Sequence, residues 1–204
     1  MGLDISDDFC FDNVRRILDR SGALGIFVRV DMEGSPYTER TLNLVRRWHE
    51  TYPHVGTVIQ SYLYRSEKDI EELNRRKIRV RLCKGAYKEP KEVAFSSKDE
   101  VNANYRKLAE LLLREGTSPA IATHDGAMIA SAMEAAAKHA RKKDDFEFQM
   151  LYGVNRKGQR ELTAQGYRMR VYVPFGTHWL PYFSRRIRER KENLFFILGH
   201  LFRD

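Results

Sequence analysis

The sequence is poor in cysteine: Cys10 and Cys83 are the only two among 204 residues. They lack metal-ligand spacing and build no disulfide framework, which predicts a reducing, intracellular setting. Cys83 falls inside an apolar run and reads as a small buried thiol. No stretch approaches the roughly 20 apolar residues that span a bilayer. The opening "MGLDISDDFC" has neither the basic start nor the apolar core of a secretory signal. Neither HExxH nor any other recognisable metal pattern occurs, which argues against a metal mechanism. P-loop and GxGxxG fingerprints are both missing. No Pro/Gly/Ser-rich linker divides the chain, and its length suits one domain, residues 1–204, with a substantial core.

Charge is plentiful. Lys and Arg number 36 against 28 Asp and Glu, a net charge of +8, and the pI is about 9.5. Basic residues are interleaved with acids, as in "ERTLNLVRR" and "RRIRERKEN", rather than gathered on one helix. That pattern describes solvated helix faces, with a share left for a polyanionic cofactor or an acidic membrane surface. Without an RNA-binding signature or a uniformly basic helix, no nucleic-acid partner is expected.

Short β-rich runs alternate with amphipathic helical stretches throughout. "SDDFCFDNVRRILDRSG" predicts a helix capped by Ser6, with Cys10, Val14, Ile17 and Leu18 inward. "SPYTERTLNLVRRWHETY" opens with Ser35 as a cap and proline at the first helical position, with Thr41, Leu44, Val45 and Trp48 as its inward stripe. "GIFVRVDM", "TVIQSYL", "IRVRLCKGAY", "AIATH", "FEFQMLYG" and "RMRVYVP" read as strands, and Asp125 as the cap of the helix after "AIATH". Such alternation implies right-handed βαβ units and a parallel sheet.

Parallel strands covered by helices should be apolar on both faces. Here one face is repeatedly polar. Arg29 and Asp31 share it, as do Arg79 and Arg81, and Glu147 and Gln149; Gln60, Thr123 and Tyr172 add to it near the C-terminal strand ends. An open doubly wound sheet gives no reason for this. A barrel does, since its interior gathers polar groups and its C-terminal rim is where sites are built.

Two further stretches carry chemistry. In the last predicted helix Tyr182, Arg185, Arg186 and Glu189 fall on one face, and a carboxylate one turn from two arginines makes a clamp for a small carboxylate. An exposed ion-pair helix is the plainer alternative. "CKGAY" follows a strand with a glycine and a lysine, which suits close approach to an anion. His124 reads as a base, a cofactor contact or a structural residue.

In order and spacing, "FVRVDME", "VIQSYLYR", "VRLCKGAYKEP", "IATHD", "FEFQMLYG", "RVYVPFG" and "PYFSRRIRER" resemble the proline dehydrogenase family along essentially the whole chain. The similarity extends to the corresponding domain of the bifunctional proline utilisation A proteins. It implies an α/β fold of the TIM-type (β/α)8 barrel family. It further implies FAD-dependent oxidation of L-proline to 1-pyrroline-5-carboxylate, with electrons passed to a membrane quinone, in a cytoplasmic protein peripheral at the inner membrane. Arg81, Asp31 and Tyr172 then match catalytic positions, Arg81 lying against the flavin. Gln60, Lys84, Gly85, Ala86, Thr123, His124 and Gln149 match cofactor-lining positions. Arg185, Arg186, Glu189, Leu151, Tyr182 and Tyr87 match positions around the substrate, the arginines gripping its carboxylate.

The resemblance is incomplete. Family barrels have eight strands, and about six strand–helix units are countable here. The first two strands, and a lysine that the family places at the end of the second, have no counterpart, so the barrel reads as truncated at the N-terminus. Closure through a partner segment, a rearranged sheet or a swapped dimer of a second copy is the expected repair. An inactive barrel serving in assembly, and a related flavin barrel oxidising hydroxyproline, are the alternatives.

Overall fold

The computed structural model describes residues 1–177. Twelve elements alternate: α1 (Asp7–Ala23), β1 (Val28–Val30), α2 (Ser35–His49), β2 (Val55–Gln60), α3 (Ser66–Arg75), β3 (Arg79–Cys83), α4 (Lys98–Glu115), β4 (Ala120–Ala122), α5 (Gly126–Lys138), β5 (Glu147–Leu151), α6 (Arg156–Ala164) and β6 (Arg168–Tyr172). All six strands are parallel, and the sheet runs in chain order from β1 to β6. Among the described residues β1 and β6 are its two edges.

Local chemistry explains the helix starts. The Ser6 hydroxyl accepts the Phe9 amide at 3.0 Å, Ser97 and Glu100 close a capping box on α4, and Asp125 accepts the Ala127 amide at 3.0 Å. At α2 the cap is Gly34 rather than Ser35, which is already helical. In α1 the buried positions are Cys10, Val14, Leu18 and Ser21, while Ile17 is exposed. The predicted strand "IRVRLCKGAY" stops at Cys83, and "AIATH" stops at Ala122. The regular strands end there, with one further backbone bond beyond each, Tyr62 N to Lys84 O at 3.0 Å and Thr123 N to Gln149 O at 3.2 Å, so Lys84–Tyr87 and His124 lie on rim loops.

Register assigns the faces. Residues paired across parallel strands point to the same side. Val28, Val30, Val55, Thr57, Ile59, Val80, Leu82, Ile121, Phe148, Met150, Met169 and Val171 therefore face the helices. All of these but Thr57 and Val171 pack with Leu18, Trp48, Leu73, Tyr105, Leu112 and Met128 into one continuous core. The polar tips of the two largest buried aromatic residues are satisfied: Trp48 Nε1 donates to Phe11 O at 3.2 Å and the Tyr105 hydroxyl to Ala122 O at 3.3 Å. Phe146, Phe148 and Tyr167 meet edge-on, with centroids 5.4–5.8 Å apart.

The opposite, inner face holds Arg29, Gly56, Val58, Gln60, Arg79, Arg81, Cys83, Ala120, Ala122, Glu147, Gln149, Leu151, Arg168, Arg170 and Tyr172. The polar face expected from the sequence is thus a single concave surface of a curled sheet.

Candidate active site

The lower part of the inner face is a basic lattice. Arg29 Nη1 donates at 2.9 Å to both Thr57 O and Arg79 O, tying three strands through one guanidinium. Arg29 and Arg79 each lie over the Phe27 ring, 4.9 Å from its centroid. Burial, reinforced by the Arg81 charge, lowers the Arg29 pKa to about 9. Two donated carbonyl bonds and the Glu147 carboxylate account for a charge kept in such a place. Burial works to raise the Glu147 carboxyl, but hydrogen bonds from Arg170 (2.8 Å) and Gln149 (2.5 Å) outweigh it and hold it below the usual range.

The strand ends above this lattice carry the candidate residues. Arg81 Nη2 donates to Asp31 Oδ1, reaching from β3 past β2 to the loop after β1. Gln60 ends β2, is 4% exposed, and its Oε1 has no hydrogen-bond partner among the described residues. Cys83, its register partner, has its thiol pushed up to about 11 by burial, so it stays protonated and unreactive at neutral pH. Lys84 Nζ donates to Asp125 Oδ2 at 2.7 Å, and this bond holds the Asp125 carboxyl below its ordinary value.

Gly85 takes φ +108°, and a Cβ built on it would lie 1.4 Å from Tyr62 Cε1. Only glycine fits against that ring. Ala86 follows on the exposed turn, and the Tyr87 hydroxyl donates to Glu33 Oε2. His124 Nε2 accepts the Leu151 amide at 2.9 Å, which places the neutral ring's proton on Nδ1. Leu151 is the register partner of Tyr172 at the end of β6.

Arg81, Asp31, Gln60, Lys84, Gly85, His124, Gln149, Leu151 and Tyr172 are thereby brought to one rim. Thr123 is buried, and its hydroxyl accepts the Asp125 amide at 3.1 Å, in the turn that starts α5. Arg185, Arg186, Glu189 and Tyr182 lie outside the described residues. Sequence reading missed Glu33, Tyr62, Glu89 and the pairing of Lys84 with Asp125. Of these only Glu33 had a signal, two residues after Asp31 in "VDME".

The profile described as proline dehydrogenase matches residues 2–197. The chain belongs to the proline dehydrogenase family. Proline dehydrogenase 2 of Bacillus subtilis is 44% identical over 196 residues, 96% of this chain and 65% of that protein. Proline dehydrogenase of Deinococcus radiodurans is 42% identical over 194 residues, 94% and 63% respectively. The chain therefore spans somewhat less than two thirds of these relatives. Among solved structures, proline utilization A from Bdellovibrio bacteriovorus, inactivated by N-propargylglycine, superposes with a TM-score of 0.85 at 30% identity. The match covers 93% of this chain and 22% of that one. The curled parallel sheet is thus the family's TIM-type barrel wall, as the sequence predicted.

Proposed function

We propose that this chain carries the flavin and proline sites of an FAD-dependent proline dehydrogenase, which oxidises L-proline to 1-pyrroline-5-carboxylate. The observation that carries the reading is the convergence, on the C-terminal rim of a barrel wall, of the Arg81–Asp31 pair with Gln60 and the Lys84–Tyr87 turn. Substrate names on relatives 42–44% identical support the reaction.

FAD fits the residues present. The Gln60 oxygen, buried without a donor, suits a ring N–H. The turn at Gly85, with Lys84 beside it, suits close approach of a phosphate-bearing group. When bound, the flavin supplies the two-electron acceptor that amine oxidation needs. The chain's own part is position and field. Gln60, Gln149 and the Gly85 turn would hold the cofactor, with Ala86, Thr123 and His124 lining it. Arg81 would set positive charge where negative charge develops, its orientation fixed by Asp31. Leu151, Tyr172 and Tyr87 would shape the ring side of the substrate. Arg185 and Arg186, steadied by Glu189 and flanked by Tyr182, would grip its carboxylate.

Quinone is the proposed electron acceptor, reached by a cytoplasmic protein in peripheral contact with the inner membrane. No helix among the described residues is long and apolar enough to cross a membrane. The exposed inner-face residues Arg79, Arg168 and Arg170 and the edge at β1 support a further proposal, that a partner segment or a second copy completes the barrel.

The test is an absorbance spectrum of the purified chain with FAD, before and after anaerobic addition of L-proline. Flavin bands that bleach with proline are expected. Flavin uptake with no bleaching by proline would reject the reaction and spare the fold; bleaching by hydroxyproline alone would reassign the substrate.

A further inference from the structure

α2 begins without the usual means of satisfying its first amides. Gly34 offers no side chain as a cap, and the first turn holds no acidic residue. The acceptor arrives from Glu89, in the loop after β3. Its Oε1 takes the Ser35 amide at 2.8 Å, and its Oε2 takes the Ser35 hydroxyl at 2.5 Å. A carboxylate there also meets the positive end of the helix dipole. The same Oε1 accepts from the Tyr62 hydroxyl at 3.3 Å, and it is the Tyr62 ring that fills the space beside Gly85. Burial and the Glu89 carboxylate both raise the Tyr62 pKa, so the phenol remains a donor.

The turn is therefore fixed at several points. Lys84 is tied to Asp125 at the start of α5, Gly85 lies against Tyr62, and Tyr87 is tied to Glu33. Backbone bonds add to this: the Tyr62 amide donates to Lys84 O at 3.0 Å, the Tyr64 amide to Val93 O at 3.0 Å, and the Phe95 amide to Tyr62 O at 2.8 Å. Glu89 joins a helix start to the ring that shapes Gly85.

We propose that Glu89 is a positioning residue: by bridging the N-terminus of α2 and the Tyr62 hydroxyl, it holds the Lys84–Tyr87 turn in the shape the rim site uses. The importance of that turn rests on the proposed function, but the bridge is testable without flavin or proline. Plain capping of α2 predicts something different, because any local acceptor would replace it.

Amide hydrogen exchange on the ligand-free chain separates the two. In Glu89→Ala, the Tyr62, Tyr64 and Phe95 amides should exchange about tenfold faster while those of Val55–Ile59 keep their rates. Adding Gly34→Ser supplies α2 with its own cap; it should recover the urea midpoint but leave the three amides fast. If Glu89→Ala does not fold, Glu89→Gln keeps an acceptor and loses the charge, and about threefold is expected. Unchanged exchange at the three amides, or its recovery by Gly34→Ser, would overturn the positioning role. Neither result touches the flavin reading, which fails only on the proline-dependent spectrum.

Discussion

Replacing Gly85 by alanine puts the rim under the sharpest strain available from one methyl group. The new Cβ would sit 1.4 and 1.5 Å from Tyr62 Cε1 and Cδ1. Tyr62 is 6% exposed and held through its hydroxyl by Glu89, so the ring has little room to retreat. Overpacking of this kind costs about 1–3 kcal/mol. The backbone at φ +108° costs an L residue about 1–2 kcal/mol more. A combined loss of about 2–5 kcal/mol lowers the melting temperature of a chain this size by about 4–20 °C, at about 2–4 °C per kcal/mol. Part of the strain relaxes by moving the turn, so flavin affinity should fall as well. Thermal denaturation followed by circular dichroism, with FAD titration by fluorescence quenching, measures both. Tyr62→Ala opens the space and should make the alanine at position 85 much cheaper, so the two substitutions couple strongly. A Gly85→Ala protein that melts within about 2 °C of the parent and binds FAD equally well would refute the account of this turn.

Other perturbations test other parts. Arg81→Met should retain bound FAD yet lose proline-driven bleaching; reduction at the parental rate would remove Arg81 from the chemistry. The Asp125 carboxyl is held below its ordinary value by Lys84, so its share of stability is present above the unfolded aspartate value near 4 and is lost as pH falls through the folded value. Asp125→Asn keeps a capping side chain but loses the charge that Lys84 holds, so it should lower the urea midpoint at pH 7, converge with the parent at low pH and thereby flatten the acid limb. Leu82 is fully buried, and Leu82→Ala should cost about 2–5 kcal/mol in urea denaturation.

Much of the fold is legible in the sequence because its two faces obey different rules. The helix side repeats apolar residues every second position, and the caps Ser6 and Asp125 announce their helices. The polar side is legible as an anomaly, which is why Arg81, Asp31 and Gln149 were expected inward. Ile17 is exposed although the spacing predicts it inward, because one residue before Leu18 and three after Val14 it sits at the margin of the buried stripe. Contacts between distant loops are not legible at all. Gly85 reads as a turn glycine, but the ring that demands it comes from the end of β2. Nothing in "SPYT" says that a carboxylate 54 positions away closes α2. The paired arginines Arg185 and Arg186 remain a reading of helical spacing.

The order of the strands has a consequence for how the molecule is made. Among the described residues every neighbour in the sheet is also a neighbour in the chain, from β1 to β6. Every pairing thus closes a loop no longer than a single crossover, and the entropic cost of assembly stays nearly constant from unit to unit. Such a wall can grow progressively as it leaves the ribosome, each new βα unit docking on a finished neighbour. On the proposal that a partner segment or second copy completes the barrel, joining at the β1 and β6 edges would be the last event and the one most sensitive to concentration.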